Sequence, residues 1–459
     1  MSEKNKISSF ASDATLDIKP TNLGQESFFK TSSNIENKNK PNRKIFVWIS
    51  AVALLFFFAS LLYIFVFKKQ SILSPIISEV RQNIDSSKSA NSNHDKSFEN
   101  PLNGVFFTEE EANKFKDKKP IAVMVNNYDI ARPSAGLSQA DVVYEVVAEA
   151  GITRLMPIFF SQIPKSVSSI RSARYYFVEL ASAYHAHYIH WGAAHVPPCQ
   201  KLPVGSAGSC ATSSGKVETD PKVDAYDRIV QLGLPNLDGG NYSCDASTCE
   251  FGRDPEKVGK VPLEHTAFVR LSLIYDLAKK IRTQDAWHKF TPLQDQWTFK
   301  DEESKSGRGH IGLTSPITYK YWDTQPAFDV KWVYDQETNE YIRYQGGVKQ
   351  IDANNGKEIR AKVVVVRLTK ETAVGDKKGH LFQGIVGKGK VIIFQDGKAI
   401  EGTWERNTEE SLDIYKTNGV TPEVIKLNRG QIWVQLVPSE NKINFSSTVA
   451  SPTVVPTKN

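Results

Sequence analysis

Residues 45–67 read IFVWISAVALLFFFASLLYIFVF, a stretch with no charged side chain. A helix of roughly 20 apolar residues crosses the hydrocarbon core of a bilayer, so this run predicts a single transmembrane helix. A cleavable signal peptide is the competing reading. Against it, the polar region ahead of the run is too long, the run exceeds a normal apolar signal region, and no small-x-small site follows. Lys30, Lys38, Lys40, Arg43 and Lys44 precede the run and only Lys68 and Lys69 follow closely. The positive-inside rule then places the N-terminus in the cytoplasm and everything after residue 67 outside the cell membrane.

That topology organises the rest. Residues 1–43, rich in Asn, Lys and Ser, predict a disordered cytoplasmic tail. Residues 84–104 read as a solvated extracellular tether, and 440–459 as a disordered Ser/Thr/Pro/Val tail. Between them lie two textures. In 118–282, IAVMVN predicts a strand, DVVYEVVAEAG and ITRLMPIFF two strands turning at Gly151, and RSARYYFVELASAYH a helix. SLIYDLAKKI predicts a further helix with Ser272 as N-cap. In 318–438, alternating or β-branched runs such as FDVKWVYD and AKVVVVRL predict a β-rich domain, with a hairpin at Asp396 and Gly397. The expected fold class is α+β: one N-terminal transmembrane helix, a mixed α/β domain, then the β-rich domain.

All four cysteines fall on the predicted outer side, where disulfides persist. Short separations favour Cys199 with Cys210 and Cys244 with Cys249, as staples in an insertion at 196–260. A zinc site built from all four thiolates is the alternative, but the separations are not of the short knuckle type. The net charge of +6 on 459 residues is mild and partly local to the first segment, so nucleic acid is not an expected partner.

Four of nine histidines crowd into HAHYIHWGAAH, at 185, 187, 190 and 195. In a strand His185 and His187 share one face and His190 takes the other, which suits a single ion poorly. No metal or other cofactor is assigned.

The runs RPSAGLSQADVVYEVVAEAGITRLMPIFF, IRSARYYFVELASAYHAHYIHWG and EHTAF resemble the N-terminal domain of the DUF3048 family, the YerB-like bacterial cell-envelope lipoproteins. VKWVYDQETNEYIRYQGG, IDANNGKEIRAKVVVVRL, GKGKVIIFQDGKAIEGTWER and LNRGQIWVQLVP resemble its C-terminal domain. The resemblance implies a surface-anchored, two-domain protein and no established activity. No cysteine precedes Cys199, so the apolar helix rather than a lipid must be the anchor, and Ser-Ser-Ile at 168–170 stands where the family pattern usually has Gly-Pro-Val. Of the four clustered histidines, only His190 falls on the family pattern.

Arg171 and Arg174 flank the start of a predicted helix, and Arg132 and Arg154 lie in other shared motifs. Guanidinium groups bind carboxylate or phosphate bidentately. If these arginines converge with His190 and His265, the site suits an anionic envelope ligand such as a glycan carboxylate, a peptide stem or a lipid phosphate. The competing reading pairs the arginines with Asp141, Glu145 and Glu149 inside the domain. Glu145 and Glu149 would share a face of one strand, but glycosidase chemistry needs a specific gap between its carboxylates. Ser213 and Lys216 form S-x-x-K only in a loop, GKGK at 387–390 lacks phosphate-loop spacing, and neither G-x-S-x-G nor H-E-x-x-H occurs. The expectation is a membrane-anchored extracellular protein binding an anionic wall component or an envelope protein partner. The alternative is a cell-wall metabolism enzyme using His190 or His265, with the arginines as anion stabilisers and an optional metal.

Overall fold

The structure, a computed structural model, describes residues 96–210, 216–244, 248–284 and 288–446. The expected cytoplasmic tail at 1–43, the apolar segment at 45–67, tether residues 84–95 and tail residues 447–459 lie outside these. Among the described residues no helix is long and apolar enough to cross a membrane.

Continuous β-branched runs bury both faces of a strand, and such runs make the centre of an eleven-stranded sheet. Its strands are β1 (Ile121–Val123), β2 (Val125–Asn126), β3 (Val142–Glu149), β4 (Ile152–Phe159), β5 (His187–His190), β6 (Asn236–Asp238), β7 (Val363–Thr369), β8 (Gly387–Gln395), β9 (Lys398–Arg406), β10 (Ile414–Thr417) and β11 (Ile432–Pro438). Across the sheet the order is β10-β9-β8-β7-β11-β3-β4-β1-β5-β6, with β2 pairing to β4. The hairpin expected at Asp396 and Gly397 joins β8 to β9, both turn residues having positive φ, as a tight two-residue turn requires. Ala150 and Gly151 do the same between β3 and β4.

The fold is α+β with a β-rich C-terminal region, but the two regions expected as separate domains share this sheet. Strand β11 lies between β7 and β3, parallel to both, with Val434 opposite Val365 on one side and Tyr144 on the other. The described residues accordingly fall within one compact unit. On one face lie helices α1 (Tyr175–Ser182) and α2 (Ala225–Gln231), packed over Tyr144, Val146 and Tyr188. The other face carries helix α3 (Ile274–Ile281), a three-stranded sheet (Phe251–Arg253, Ala267–Val269, Val167–Ser168) and an antiparallel sheet built around Val330–Asp335 and Glu340–Gln345. The strict alternation of buried and half-exposed residues in VKWVYD marks a sheet with one solvated face.

Three local expectations are corrected. Residues 96–104 are not a solvated tether: Lys96–Glu99 pairs with Phe106–Thr108, Leu102 is buried, and the Asn100 and Asn103 amides both donate to Asp141 Oδ1 at 2.8 Å. Asp141, a candidate arginine partner, is thus satisfied by amides, the Ser161 hydroxyl and backbone N–H groups, as burial of a carboxylate demands. Residues 440–446 are not a free tail, since Asn444 bridges to Thr318 and Phe445 packs edge-on against Phe394 at 5.2 Å. Ser272 caps nothing: it lies inside a 3-10 turn, and α3 begins after Leu273.

The faces are locked together by Glu145, fully buried in the middle of β3. Its Oε2 accepts from Arg343 and from Gln435 at 2.7 Å each, and its Oε1 from Gln345 at 2.8 Å and Thr153 at 2.9 Å. Arg343 lies against the edge-on pair of Trp332 and Trp433, 5.2 and 4.5 Å from their ring centroids. Removing one member of a buried ion pair strands the other and costs about 3–5 kcal/mol, whereas removing both with apolar replacements costs less. Glu145→Leu and Arg343→Met are therefore each expected to lower unfolding free energy by about that amount, and the double variant by clearly less than the sum, in urea denaturation.

Candidate functional site

Strands β1, β3, β5, β6, β7 and β11 all run the same way, so their carboxyl ends share one edge of the sheet. In open α/β sheets ligands bind outside such ends. The segment from Ile170 to Ala173 threads through this edge: Arg171 N–H donates to Met124 O beyond β1, and Trp191 N–H beyond β5 donates to Arg171 O. Arg171 therefore emerges between two parallel strands, just ahead of α1.

A bulge decides what surrounds it. The β3–β4 register slips between Val147 and Glu149, which turns Glu149 to the face opposite Glu145. The carboxylates weighed as a glycosidase pair are thus on different sides of the sheet. Glu149 accepts from Arg174 Nε and, at 3.3 Å, from Arg154 Nη2, while the remaining guanidinium groups donate to Ser172 O and Ala173 O. Burial works to raise the Glu149 pKa, but the two arginines prevail and hold it down at about 2. Next to it, His380 Nε2 lies 3.9 Å from Glu149 and Nδ1 lies 2.7 Å from Asp376. Sequence reasoning missed this pair; its trace was Asp-x-x-x-His in a glycine-flanked loop.

Internal pairing therefore absorbs Arg154 and Arg174. It also absorbs Arg132, which donates to the carbonyls of Asn127 and Ala327 and lies 5.1 Å over Phe328. Arg171 alone among these four donates no side-chain hydrogen bond to a described residue. Burial pulls its pKa down, and Glu264 is the main opposing charge.

Around Arg171 gather three side chains from the face that carries the three-stranded sheet. Arg253 stacks 4.2 Å over Trp191 and shares the influence of Glu264. Lys257 donates to Ala131 O at 2.9 Å. His265 accepts at Nδ1 from the Asn126 amide, 2.6 Å away, and stacks on Tyr128. Because Asn126 Oδ1 is taken by Tyr128 N–H, the amide orientation is fixed and the His265 ring proton sits on Nε2. Burial, and then Arg171, hold the His265 pKa below its ordinary value. Arg253 and Lys257 come from the insertion, where sequence reasoning assigned a role only to the cysteines; their trace was the mixed-charge run FGRDPEKVGK.

His190 does not join them. It lies with Tyr188 on the α1 face, fully buried, its Nδ1–H donating to Gly192 O at 2.9 Å and its ring 6.0 Å from Tyr226. Burial lowers its pKa, keeping the imidazole neutral. Of the other clustered histidines, His195 shares the Tyr226 ring with His190, whereas His187 packs on Tyr275 and His288 across the sheet and His185 borders a small cleft. Among the described residues no three His, Cys, Asp or Glu side chains are grouped to hold a metal ion. The cysteines form the pairs favoured by their separations, Cys199–Cys210 and Cys244–Cys249, the second just ahead of the strand bearing Arg253.

Residues 107–200 match the family model described as Protein of unknown function (DUF3048) N-terminal domain, and residues 317–434 match the model of the DUF3048 C-terminal domain. Both domain models of the DUF3048 family are thus matched, in chain order. Arg171 lies within the first DUF3048 match, whereas Arg253, Lys257 and His265 lie between the two. The protein named "Putative lipoprotein YerB" from Bacillus subtilis (strain 168) is 26% identical over 350 residues, covering 76% of this chain and 86% of that protein. The crystal structure of YerB protein from Bacillus subtilis matches with a TM-score of 0.56 at 22% identity, covering 76% of this chain and all of that one, a likeness of fold.

The depressed Glu149 pKa sets a pH dependence. A carboxylate lowered from 4.5 to about 2 on folding contributes stability that is present above the unfolded value and lost as pH falls through the folded one. Wild-type protein should therefore lose stability progressively as pH drops from 4.5 towards 2. Glu149→Gln should be less stable at neutral pH and show a shallower slope in that window, read from urea denaturation across a pH series.

Proposed function

We propose that this DUF3048 protein is a membrane-anchored extracellular protein of the cell envelope, held by residues 45–67, that binds an anionic wall component at the carboxyl edge of the sheet. One observation carries the proposal: Arg171, half-buried between two parallel strands, donates no side-chain hydrogen bond to a described residue, where Arg132, Arg154 and Arg174 are each engaged with carbonyls or Glu149. A guanidinium so placed is suited to a carboxylate or phosphate, with Arg253, Lys257 and the His265 Nε2–H as neighbouring donors. The name of the Bacillus relative, a lipoprotein, supports an envelope location. The enzyme reading expects His190 and His265 within reach of one point; His265 lies beside Arg171, whereas His190 is buried on the α1 face, so the two do not converge.

Co-sedimentation of the full-length chain with purified wall material tests the proposal. Binding should weaken with salt, and Arg171→Ala should reduce affinity about 10- to 100-fold, the worth of a charge-assisted contact. Arg171→Lys should restore part of it, because a point charge replaces a bidentate fork. Binding that is absent, or equal in wild type and Arg171→Ala, would refute the assignment.

A further inference from the structure

A second feature adjoins the Arg171 site through Lys257, where two clefts meet at Pro133. One, of about 480 Å³, is bordered by Pro133, Ala327, Val348 and Ile351, with Arg132 and Gln345 also in its lining. Val348 is 65% and Ile351 43% exposed, large for aliphatic side chains in a cleft. Asp129 and Lys349 also border it, and Lys349 is paired with Glu358. The other cleft, of about 540 Å³, is bordered by Lys165, Lys257, Lys260 and Arg270, against the carboxylates of Asp254 and Glu256. None of those four cations makes an ion pair with a carboxylate among the described residues; Lys257 and Arg270 instead donate to the carbonyls of Ala131 and Cys249.

The ridge between the clefts is rigid. Asp352, fully buried, accepts from Gly136 N–H at 2.9 Å and from Ser138 N–H at 2.8 Å. Ala353 N–H donates to Ser134 O, and the Asn354 amide donates to Ser166 O at 2.8 Å. Residues 348–351 thus border the apolar cleft and 353–354 the basic one, on a strap pinned at both ends. A preformed groove spares a ligand the ordering cost of its site.

From an apolar cleft adjoining a basic one, we infer a docking groove for an extended acidic peptide of a protein partner, its aliphatic side chain seated at Val348 and Ile351 and its carboxylates on Lys165, Lys257, Lys260 and Arg270. Charge complementarity selects an acidic occupant. Both clefts are open and lie side by side, which suits alternate side chains of an extended strand rising about 3.3 Å per residue better than the enclosed tube an acyl chain requires. The groove shares Lys257 with the surroundings of Arg171, but Lys165, Lys260, Val348 and Ile351 border the groove and play no part in the Arg171 site, so variants at those four positions separate it from wall binding.

The test is selection of twelve-residue peptides from a random display library on the purified full-length chain. Enriched peptides should combine an aliphatic residue with neighbouring Asp or Glu. The selected peptide should lose about 10-fold or more in affinity with Lys165→Glu/Lys260→Glu, and as much with Val348→Asp/Ile351→Asp. All four positions are exposed, so unchanged thermal unfolding should accompany the loss, and Arg171→Ala should leave peptide affinity unaltered. No enrichment, a consensus lacking acidic residues, or affinity indifferent to either double variant would overturn the inference. Tighter binding of dodecyl phosphate than of the selected peptide, lost in the same variants, would give the groove to a lipid headgroup and overturn it too.

Discussion

The carboxylate of Glu145 is the point on which this fold turns. It sits without solvent contact in a strand of the N-terminal region, and Arg343, Gln345 and Gln435, all from the C-terminal region, complete it. A lone buried carboxylate costs too much to keep charged, so the strand that carries it is compatible only with a neighbour that supplies donors. Strand β11 supplies Gln435 from beside it and the second sheet supplies Arg343 from above. The two regions, distinct in sequence texture, are thereby parts of one structure.

The same demand sorts the cations at the sheet's carboxyl edge. Glu149, turned over by the bulge, draws in Arg154 and Arg174 and leaves them little to offer a ligand. Arg171, whose backbone is fixed between Met124 and Trp191, is aligned by the main chain and not by a carboxylate, which keeps its guanidinium available. Position in the fold, rather than residue type, thus separates a structural arginine from one with binding capacity.

Much of the architecture was legible in the sequence because it depends on local signals. VVVVRL, the β-branched density of DVVYEVV, the Asp-Gly turn and the cysteine spacing each report on neighbours a few residues away. What was not legible depends on distant partners. Periodicity marks IWVQLVP as a strand but not that it inserts beside Val142–Glu149, and that pairing is what merges the expected domains. Likewise, polar composition suggested a tether at 84–104, yet within it Asn100 and Asn103 are held because Asp141 needs donors. A one-residue bulge sends Glu145 and Glu149 to opposite faces, and no spacing rule anticipates it. The candidate arginines were found by motif, but Arg253 and Lys257 reach Arg171 only through the pairing of Phe251–Arg253 with Ala267–Val269.

The central claim is that both regions form a single cooperative structure closed by β11. Differential scanning calorimetry of the full-length chain tests it most directly. One endotherm for residues 96–446, with calorimetric and van't Hoff enthalpies equal, is the expected result. Two resolved transitions, one assignable to each family domain, would contradict it.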